Sequence, residues 1–325
     1  MNFISMFRSL TAAGLLGFTA MSSALAALPI QNWRQPNGAQ VFFVESRSIP
    51  MVDVQVDFDG GGRRDPADKA GLASVSASLT SKGIRASGNE PALDENQLGE
   101  AWADLGAGFG GDASSDRMSF SLRSLTDPAL LQRAVALAAR QMGEPAYPPD
   151  VWERERQRIS AAIREADTKP ATVVSKVFQK AVYGGHPYGY EPTGASLAAI
   201  SVDDIRDFHR AHVLPCRAKV SLVGNLDRAQ ADALVTQLLV RLPLAAGECP
   251  ALPPVAEVVP LTAPSMQAIP FESAQAHVLI GQPGFKRSDP DYFPLLVGNY
   301  ILGGSGLVSR LSTEVREKRG LTYST

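Results

Sequence analysis

Residues 303–323 read GGSGLVSRLSTEVREKRGLTY, a glycine turn followed by a helical pattern and a short apolar run. The apolar residues recur at helical spacing, at Leu307, Val308, Leu311 and Val315. Gly320 is a residue type that ends helices, and the run that follows it predicts a strand. Arg316 and Tyr323 could therefore bring two hydrogen-bond donors to one point. Taken alone, the spacing also fits a solvated arginine and a half-buried tyrosine.

The same order of elements occurs near the start of the chain. Periodicity predicts strands at 39–44, 51–58, 118–125, 219–223 and 276–282. It predicts helices at 71–81, 92–105, 128–142, 150–166, 173–182, 202–212, 228–241, 291–302 and 307–319. Strands, then helices, then one closing strand indicate an α+β unit rather than a doubly wound sheet.

The chain has room for two such units. Its 325 residues are 45% hydrophobic, which supports two cores of ordinary size. Residues 247–263 are rich in proline, lack periodicity and are predicted to be a linker. We therefore expect a first unit at 27–246 and the start of a second at 264–325. With roughly sixty residues against the usual ~100–150, the second is expected to be incomplete and the sequence truncated.

The first 26 residues have the pattern of a signal peptide. Arg8 supplies a positive charge, a short apolar run follows, and Ala24-Leu25-Ala26 has the A-x-A form of a cleavage site. The apolar run is shorter than a membrane-spanning helix usually requires. We expect an exported, periplasmic protein. In an oxidising compartment Cys216 and Cys249 could pair, although Cys216 could equally be a small core residue.

Charge argues against some partners. The net charge is −2 and the sequence pI is near 6.1, so neither nucleic acid nor an anionic membrane surface is expected to bind.

Residues 69–83, KAGLASVSASLTSKG, resemble the metal-binding helix of the pitrilysin family of zinc peptidases. The family carries H-x-x-E-H there, two histidines that bind zinc and a glutamate that activates water. On this resemblance the histidines fall at Ser74 and Ser78 and the glutamate at Ala77. The remaining zinc ligand, a glutamate on a later helix, falls at Ala161-Ala162. The resemblance therefore implies that this chain binds no zinc.

Other stretches resemble the family in the same order. Residues 105–112, LGAGFGGD, match a glycine-rich loop before the strand that binds extended substrate, with Gly110 in place of an asparagine. The resemblance implies substrate contacts at Gly108, Phe109, Gly110, Gly303 and Gly304. It runs from about Val41 to Thr325, and it implies tandem metallopeptidase-like domains, each a mixed, mostly antiparallel sheet covered by helices.

The arginine–tyrosine half of the family's site is retained. Arg316 and Tyr323 fit the pair that the second domain supplies to the substrate carbonyl oxygen as it gains charge. Some family members divide the work between two chains. The resemblance thus implies a subunit that completes a homologous H-x-x-E-H zinc peptidase acting on small peptides, with zinc only in the partner. The alternative is a non-catalytic binding or assembly protein of the same fold.

His209 and His212 have a spacing that some metal sites use. No glutamate stands between them, and the family has histidines there without zinc. We expect structural roles for both.

Overall fold

A computed structural model of the chain describes residues 29–244, 248–304 and 306–325. The predicted signal peptide lies outside the described residues, so it stays a prediction. No helix among the residues that were searched combines the length and the apolar character needed to cross a bilayer.

A six-stranded mixed sheet organises residues 29–244. Its strands are β1 (Gln31–Arg34), β2 (Gln40–Glu45), β3 (Met51–Phe58), β6 (Gly108–Ala113), β7 (Met118–Leu125) and β8 (Lys219–Gly224). Their spatial order is β1-β2-β8-β3-β7-β6. A separate two-stranded pair joins β4 (Gly83–Ile84) to β5 (Leu93–Asp94). All neighbours in the large sheet run antiparallel except β2 and β8.

The last strand in the sequence occupies the middle of the sheet. β8 pairs in parallel with β2 and antiparallel with β3, with Leu222 opposite Phe43 on one side and Val54 on the other. Val220 and Leu222 are buried, whereas the alternate residues Ser221 and Val223 are exposed. This alternation places one face of β8 in the core.

Eight helices alternate with the strands within residues 29–244. They are α1 (Leu72–Ser78), α2 (Glu95–Leu105), α3 (Pro128–Gly143), α4 (Pro149–Ala166), α5 (Pro170–Tyr183), α6 (Gly194–Ala199), α7 (Val202–His212) and α8 (Arg228–Leu239). Their starts follow local chemistry: Asp94, Thr193, Ser201 and Asp227 each form a reciprocal capping box. Residues of the helices and the inward face of the sheet share one hydrophobic core. The predicted α+β architecture is confirmed.

The glycine-rich segment is a strand rather than the expected loop. β6 is made of GFGGDA and pairs with β7 along its whole length. Glycine disfavours strands, so propensity predicts a loop, but the close packing at Gly111 described below requires a residue without a side chain.

Cys216 and Cys249 form a disulfide across a sequence separation of 33 residues. The bond attaches the start of the proline-rich segment to the first unit, directly before β8.

The elements predicted beyond residue 264 are only partly present. A helix, α9 (Tyr292–Asn299), forms and continues as a wide π turn to Gly304. The helix predicted at 307–319 is instead a 3₁₀ turn at Gly306–Val308 and a π turn at Ser312–Glu317. The strands predicted at 276–282 and after Gly320 are wrong: no residue of the described ranges 248–304 and 306–325 lies in a strand. A strand needs a neighbour for its backbone groups, and none is provided there.

The central position of β8 makes a clear stability prediction. We expect Leu222→Ala to lower the free energy of unfolding by about 2–5 kcal/mol, because it leaves a cavity in a fully buried site. Val223→Ala, its exposed neighbour, should change it by less than about 0.5 kcal/mol. Urea unfolding followed by circular dichroism measures both. Equal effects would contradict the assignment of faces.

Candidate functional site

Helix α1 corresponds to the predicted metal-binding helix, and it is anchored at its start. The buried Asp65 carboxylate accepts hydrogen bonds from the backbone N–H of Gly71 at 2.8 Å and of Ala73 at 2.9 Å. Burial raises the pKa of Asp65 to about 6, although these N–H groups favour the charged form. The carboxylate thus satisfies backbone donors that the helix itself leaves free.

The inner side of α1 rests on Tyr147. This fully buried residue has a left-handed backbone, with φ of 48°, and its hydroxyl donates to the Ser76 carbonyl oxygen at 3.0 Å. Burial raises the pKa of the Tyr147 hydroxyl well above its usual value. It therefore serves as a neutral donor that fixes the depth of the helix.

The outer side of α1 carries two of the five positions that the resemblance aligns with the family's zinc site. Ser74 and Ser78, one turn apart, are both exposed, whereas Ala77 between them is completely buried. The Ser78 hydroxyl donates to the Val75 carbonyl oxygen at 3.3 Å. The helix thus presents two hydroxyls and no imidazole on its open face.

Strand β6 lies against α1 with almost no space between them. A Cβ added to Gly111 would come within 2.9 Å of the Ala77 carbonyl oxygen and 2.7 Å of the Phe120 ring. Gly111 therefore brings the strand into contact with the helix. At Gly108 and Gly110 an added Cβ would meet nothing within 4 Å.

The far side of β6 is an open sheet edge. The strand is last in the sheet order and pairs only with β7 among the described strands. Phe109 is fixed on it, because its ring stacks on Trp102 and Phe120 with centroids 5.9 Å apart in each case. The residues predicted to contact substrate, Gly108 to Gly110, therefore line a rigid edge whose backbone groups can accept another strand.

Helix α4 carries the last two of the five positions aligned with the family's zinc site, Ala161 and Ala162, and both are exposed. Glu155 on the same helix is buried, and its carboxylate lies 3.6 Å from Lys82, just beyond the end of α1. Ala162 is seven residues after Glu155 and shares its face, whereas Ala161 is turned away by one residue. Ala162 therefore lies on the face of α4 whose Glu155 contacts Lys82, the residue four positions after α1.

This donor set does not fit zinc. Zinc sites use imidazole, thiolate or carboxylate ligands, and the five aligned positions offer only hydroxyls and methyl groups. Across the described ranges, no group of three or more histidine, cysteine, aspartate or glutamate side chains could hold a metal ion.

Arg316 and Tyr323 lie in the last described segment. Arg316 is half-buried in the π turn, and Tyr323 is 84% exposed. Gly320 ends the turn with φ of +61°, as expected of a helix-ending glycine, and its N–H donates to the Arg316 carbonyl oxygen at 2.9 Å. Among the described residues neither side chain has a hydrogen-bond partner. Their shared role, and contacts of substrate with Gly303 and Gly304, stay predictions.

The two histidines of α7, His209 and His212, each make their own packing contacts. His209 is buried in the core with its ring centroid 5.9 Å from that of Tyr147, and burial lowers its pKa to about 4. His212 contacts the Phe208 carbonyl oxygen through Nδ1 at 2.8 Å.

Sequence reasoning missed the supports of α1. Asp65 stands seven residues before Leu72, the first residue of the helix, so no capping spacing points to it. Tyr147 follows a later helix and adopts a backbone conformation that is unusual for tyrosine.

Fold and site together define a zinc-peptidase-like domain without metal ligands. The family model described as Insulinase (Peptidase family M16) matches residues 40–195, and the model described as Peptidase M16 inactive domain matches residues 199–325. A crystal structure of a peptidase M16 inactive domain from Pseudomonas fluorescens is 30% identical with a TM-score of 0.78, covering 91% of this chain and 70% of that one. The chain belongs to peptidase family M16.

Curated relatives span both active and inactive descriptions. A protein of Streptomyces coelicolor described as an uncharacterized zinc protease is 33% identical over 177 residues, or 52% of this chain and 38% of that protein. A Helicobacter pylori protein described as a non-peptidase homolog is 24% identical over 309 residues, covering 93% of this chain and 67% of that protein. The chain thus spans between about a third and two thirds of these relatives' lengths.

The contact between α1 and β6 can be tested with adjacent glycines. We expect Gly111→Ala to lower the free energy of unfolding by about 1–3 kcal/mol, because the new methyl group overlaps backbone and ring atoms. Gly110→Ala, in open space one residue away, is the matched control and should be nearly neutral. Thermal and urea unfolding measure the difference. A tolerated Gly111→Ala would mean that the strand is not pressed against the helix.

The aligned zinc positions can be tested by restoring ligands. We expect the variant Ser74→His/Ser78→His to bind Zn²⁺ weakly through two imidazoles on one helical face, and the further change Ala162→Glu to tighten binding. Isothermal titration calorimetry with Zn²⁺ measures the affinity.

Ala161→Glu on the same double-histidine background is the matched control. Its carboxylate lies on the neighbouring face of α4 and should tighten zinc binding less. Equal affinities for the two glutamate variants would contradict the placement of α4 beside α1.

Proposed function

We propose that this chain is an exported subunit of an M16 peptidase that supplies Arg316 and Tyr323 to a homologous, zinc-bearing H-x-x-E-H partner. The partner holds the zinc and activates water, and the assembly hydrolyses small peptides. In this role Arg316 and Tyr323 donate hydrogen bonds to the peptide carbonyl oxygen as it becomes negative in the transition state.

One observation carries the proposal: the helix that aligns with the family's metal-binding helix is firmly held in place although it carries no metal ligand. Asp65, Tyr147 and Gly111 hold α1 in place, yet Ser74, Ala77 and Ser78 cannot bind zinc. The sequence at the same time keeps the arginine–tyrosine spacing in residues 316–323. A chain that has the two donors but no metal ligands can contribute to catalysis only together with a chain that binds the metal.

The free edge of β6 supports an extended peptide as ligand. An extended segment can add to such an edge through backbone hydrogen bonds, which are independent of its sequence. Gly108 and Gly110 leave the space beside that edge open.

The disulfide supports export. Disulfides persist in oxidising compartments and are rare in the cytosol, and Cys216 and Cys249 are bonded. This agrees with the signal pattern ending at Ala26 and with a periplasmic location.

A second candidate is a binding or assembly protein without a catalytic role. The Helicobacter pylori relative described as a non-peptidase homolog favours it, as does the 84% exposure of Tyr323. In this role the family fold would serve only as a surface.

The donor pair distinguishes the two candidates. In a complex of this chain with its zinc-bearing homologue, we expect Arg316→Ala or Tyr323→Phe to lower kcat for a peptide substrate roughly 100-fold, because one transition-state donor is lost. Continuous assay of a fluorogenic peptide measures the rate.

Arg319→Ala is the matched control. Arg319 is exposed three residues from Arg316 and contacts Glu314 rather than any site residue. Its rate should equal that of the unchanged complex. A complex that forms normally but keeps full activity after Arg316→Ala would reject the catalytic role and leave the binding role.

A further inference from the structure

The proline-rich segment does not leave the first unit freely. Residues 249–256, CPALPPVA, which we call the strap, are attached to that unit at four places. The attachments are the disulfide at Cys249 and side-chain contacts to the carbonyl oxygens of Pro250, Pro253 and Ala256.

The first end of the strap is held covalently. Cys249 is bonded to Cys216, and the next residue of each chain segment adds to the attachment, because the Arg217 guanidinium donates to the Pro250 carbonyl oxygen. Arg217 also donates to the Ala211 carbonyl oxygen near the end of α7, so its guanidinium bridges the helix and the strap through its two terminal nitrogens.

Arg64 holds the middle of the strap. Its guanidinium donates to the Pro253 carbonyl oxygen and also to both carboxylate oxygens of Asp59, at 3.0 and 2.6 Å. With the strap in place the Arg64 side chain is only 11% exposed. The two Asp59 bonds orient the guanidinium from the first unit, on the side away from its bond to the strap.

His186 holds the far end. Its Nδ1 accepts the Tyr188 backbone N–H at 3.1 Å, so the ring hydrogen is on Nε2, which lies 2.9 Å from the Ala256 carbonyl oxygen. The ring is nine-tenths buried and packs on Tyr188 with centroids 4.6 Å apart. The histidine thus donates to the strap from a fixed orientation.

The spacing of these contacts matches the chemistry of the strap. The three acceptor carbonyls are three residues apart, which is one turn of a polyproline II helix. Three of the eight residues are prolines, which lack an N–H and offer only carbonyl groups. Hydrogen-bond donors that contact every third carbonyl group can therefore hold such a segment along one of its sides.

We propose that residues 249–256 are a docked polyproline strap, held by Arg217, Arg64 and His186 and locked by the Cys216–Cys249 disulfide. The strap makes residues 249–256 part of the first unit, so the flexible joint of the chain begins after Ala256. A dithiol opens the lock: it transfers two electrons and two hydrogens, forming two cysteine thiols and its own disulfide. The three carbonyl contacts then hold the strap alone.

Cleavage by a glutamate-specific protease tests the strap within one chain. Glu257 directly follows the strap and pairs with Lys286, and Glu272, fifteen residues further on, serves as an internal control; both glutamates are exposed. In the oxidised protein we expect slow cleavage after Glu257 and rapid cleavage after Glu272. Cys216→Ser/Cys249→Ser, or dithiothreitol, should raise the Glu257 rate roughly tenfold and leave the Glu272 rate unchanged. Mass spectrometry of the fragments over time gives both rates.

A variant that keeps the disulfide tests the far end. His186→Ala should raise the Glu257 rate several-fold by itself, because Ala256 next to the cleavage site loses its donor. Cleavage after the buried Glu144 or Glu155 would report global unfolding. If the double serine variant unfolds in this way, the comparison of Glu257 rates between His186→Ala and the unchanged protein, both with the disulfide intact, tests the strap instead. Equal rates at Glu257 and Glu272 in the oxidised protein, unaffected by either change, would overturn the proposal.

Discussion

The fold of the first unit depends on the insertion of β8 between β2 and β3. Without this strand the sheet would be two separate pieces, β1-β2 and β3-β7-β6, with no backbone hydrogen bonds between them. Residues 219–224 are some 160 residues after β3, and helices α1 to α7 lie between them in the sequence. The pairing that completes the sheet therefore has to bring together residues that are far apart along the chain. The sheet then offers one continuous apolar face, against which the helices bury a single core.

That core explains how α1 persists without a metal. In a metal site, binding energy helps to hold ligand-bearing elements. Here the same helix is held by a buried carboxylate at its start, a buried tyrosine under its middle and a glycine strand at its side. Ala77, which is completely buried, contributes to packing at the position that the sequence resemblance aligns with the family's glutamate. The helix is thus a structural element with an exposed serine face, beside a sheet edge able to bind extended peptide.

Beyond the strap, the chain buries little of its apolar surface. Leu295, Leu296, Tyr300, Ile301 and Leu302, on α9 and the turn after it, are all at least 46% exposed. The helical pattern is present in the sequence, but a pattern gives a regular element only when its apolar face has something to pack against. This is why the long helix predicted around Arg316 is divided into short turns, while equally periodic helices in the first unit are intact.

Local chemistry in the sequence determined most of the first unit. The alternation of 51–58 and 118–125 gave the strand bounds found, and the helices predicted from apolar spacing at 128–142 and 150–166 agree within a residue or two. The family resemblance also follows from the residues alone, as does the absence of histidine at Ser74 and Ser78 and of glutamate at Ala77. These features depend on neighbours in the chain, whose effects can be read from their order.

Tertiary structure alone decided the rest. Nothing local distinguishes GFGGDA as a strand, because the reason lies in Ala77 and Phe120, which pack on Gly111 from distant elements. The pairing of Cys216 with Cys249, the support of α1 by Asp65 and Tyr147, and the three donors on the strap depend likewise on residues brought together only by folding. Contacts between residues far apart in sequence leave no periodic trace, since each partner satisfies its local pattern whether or not the other is present.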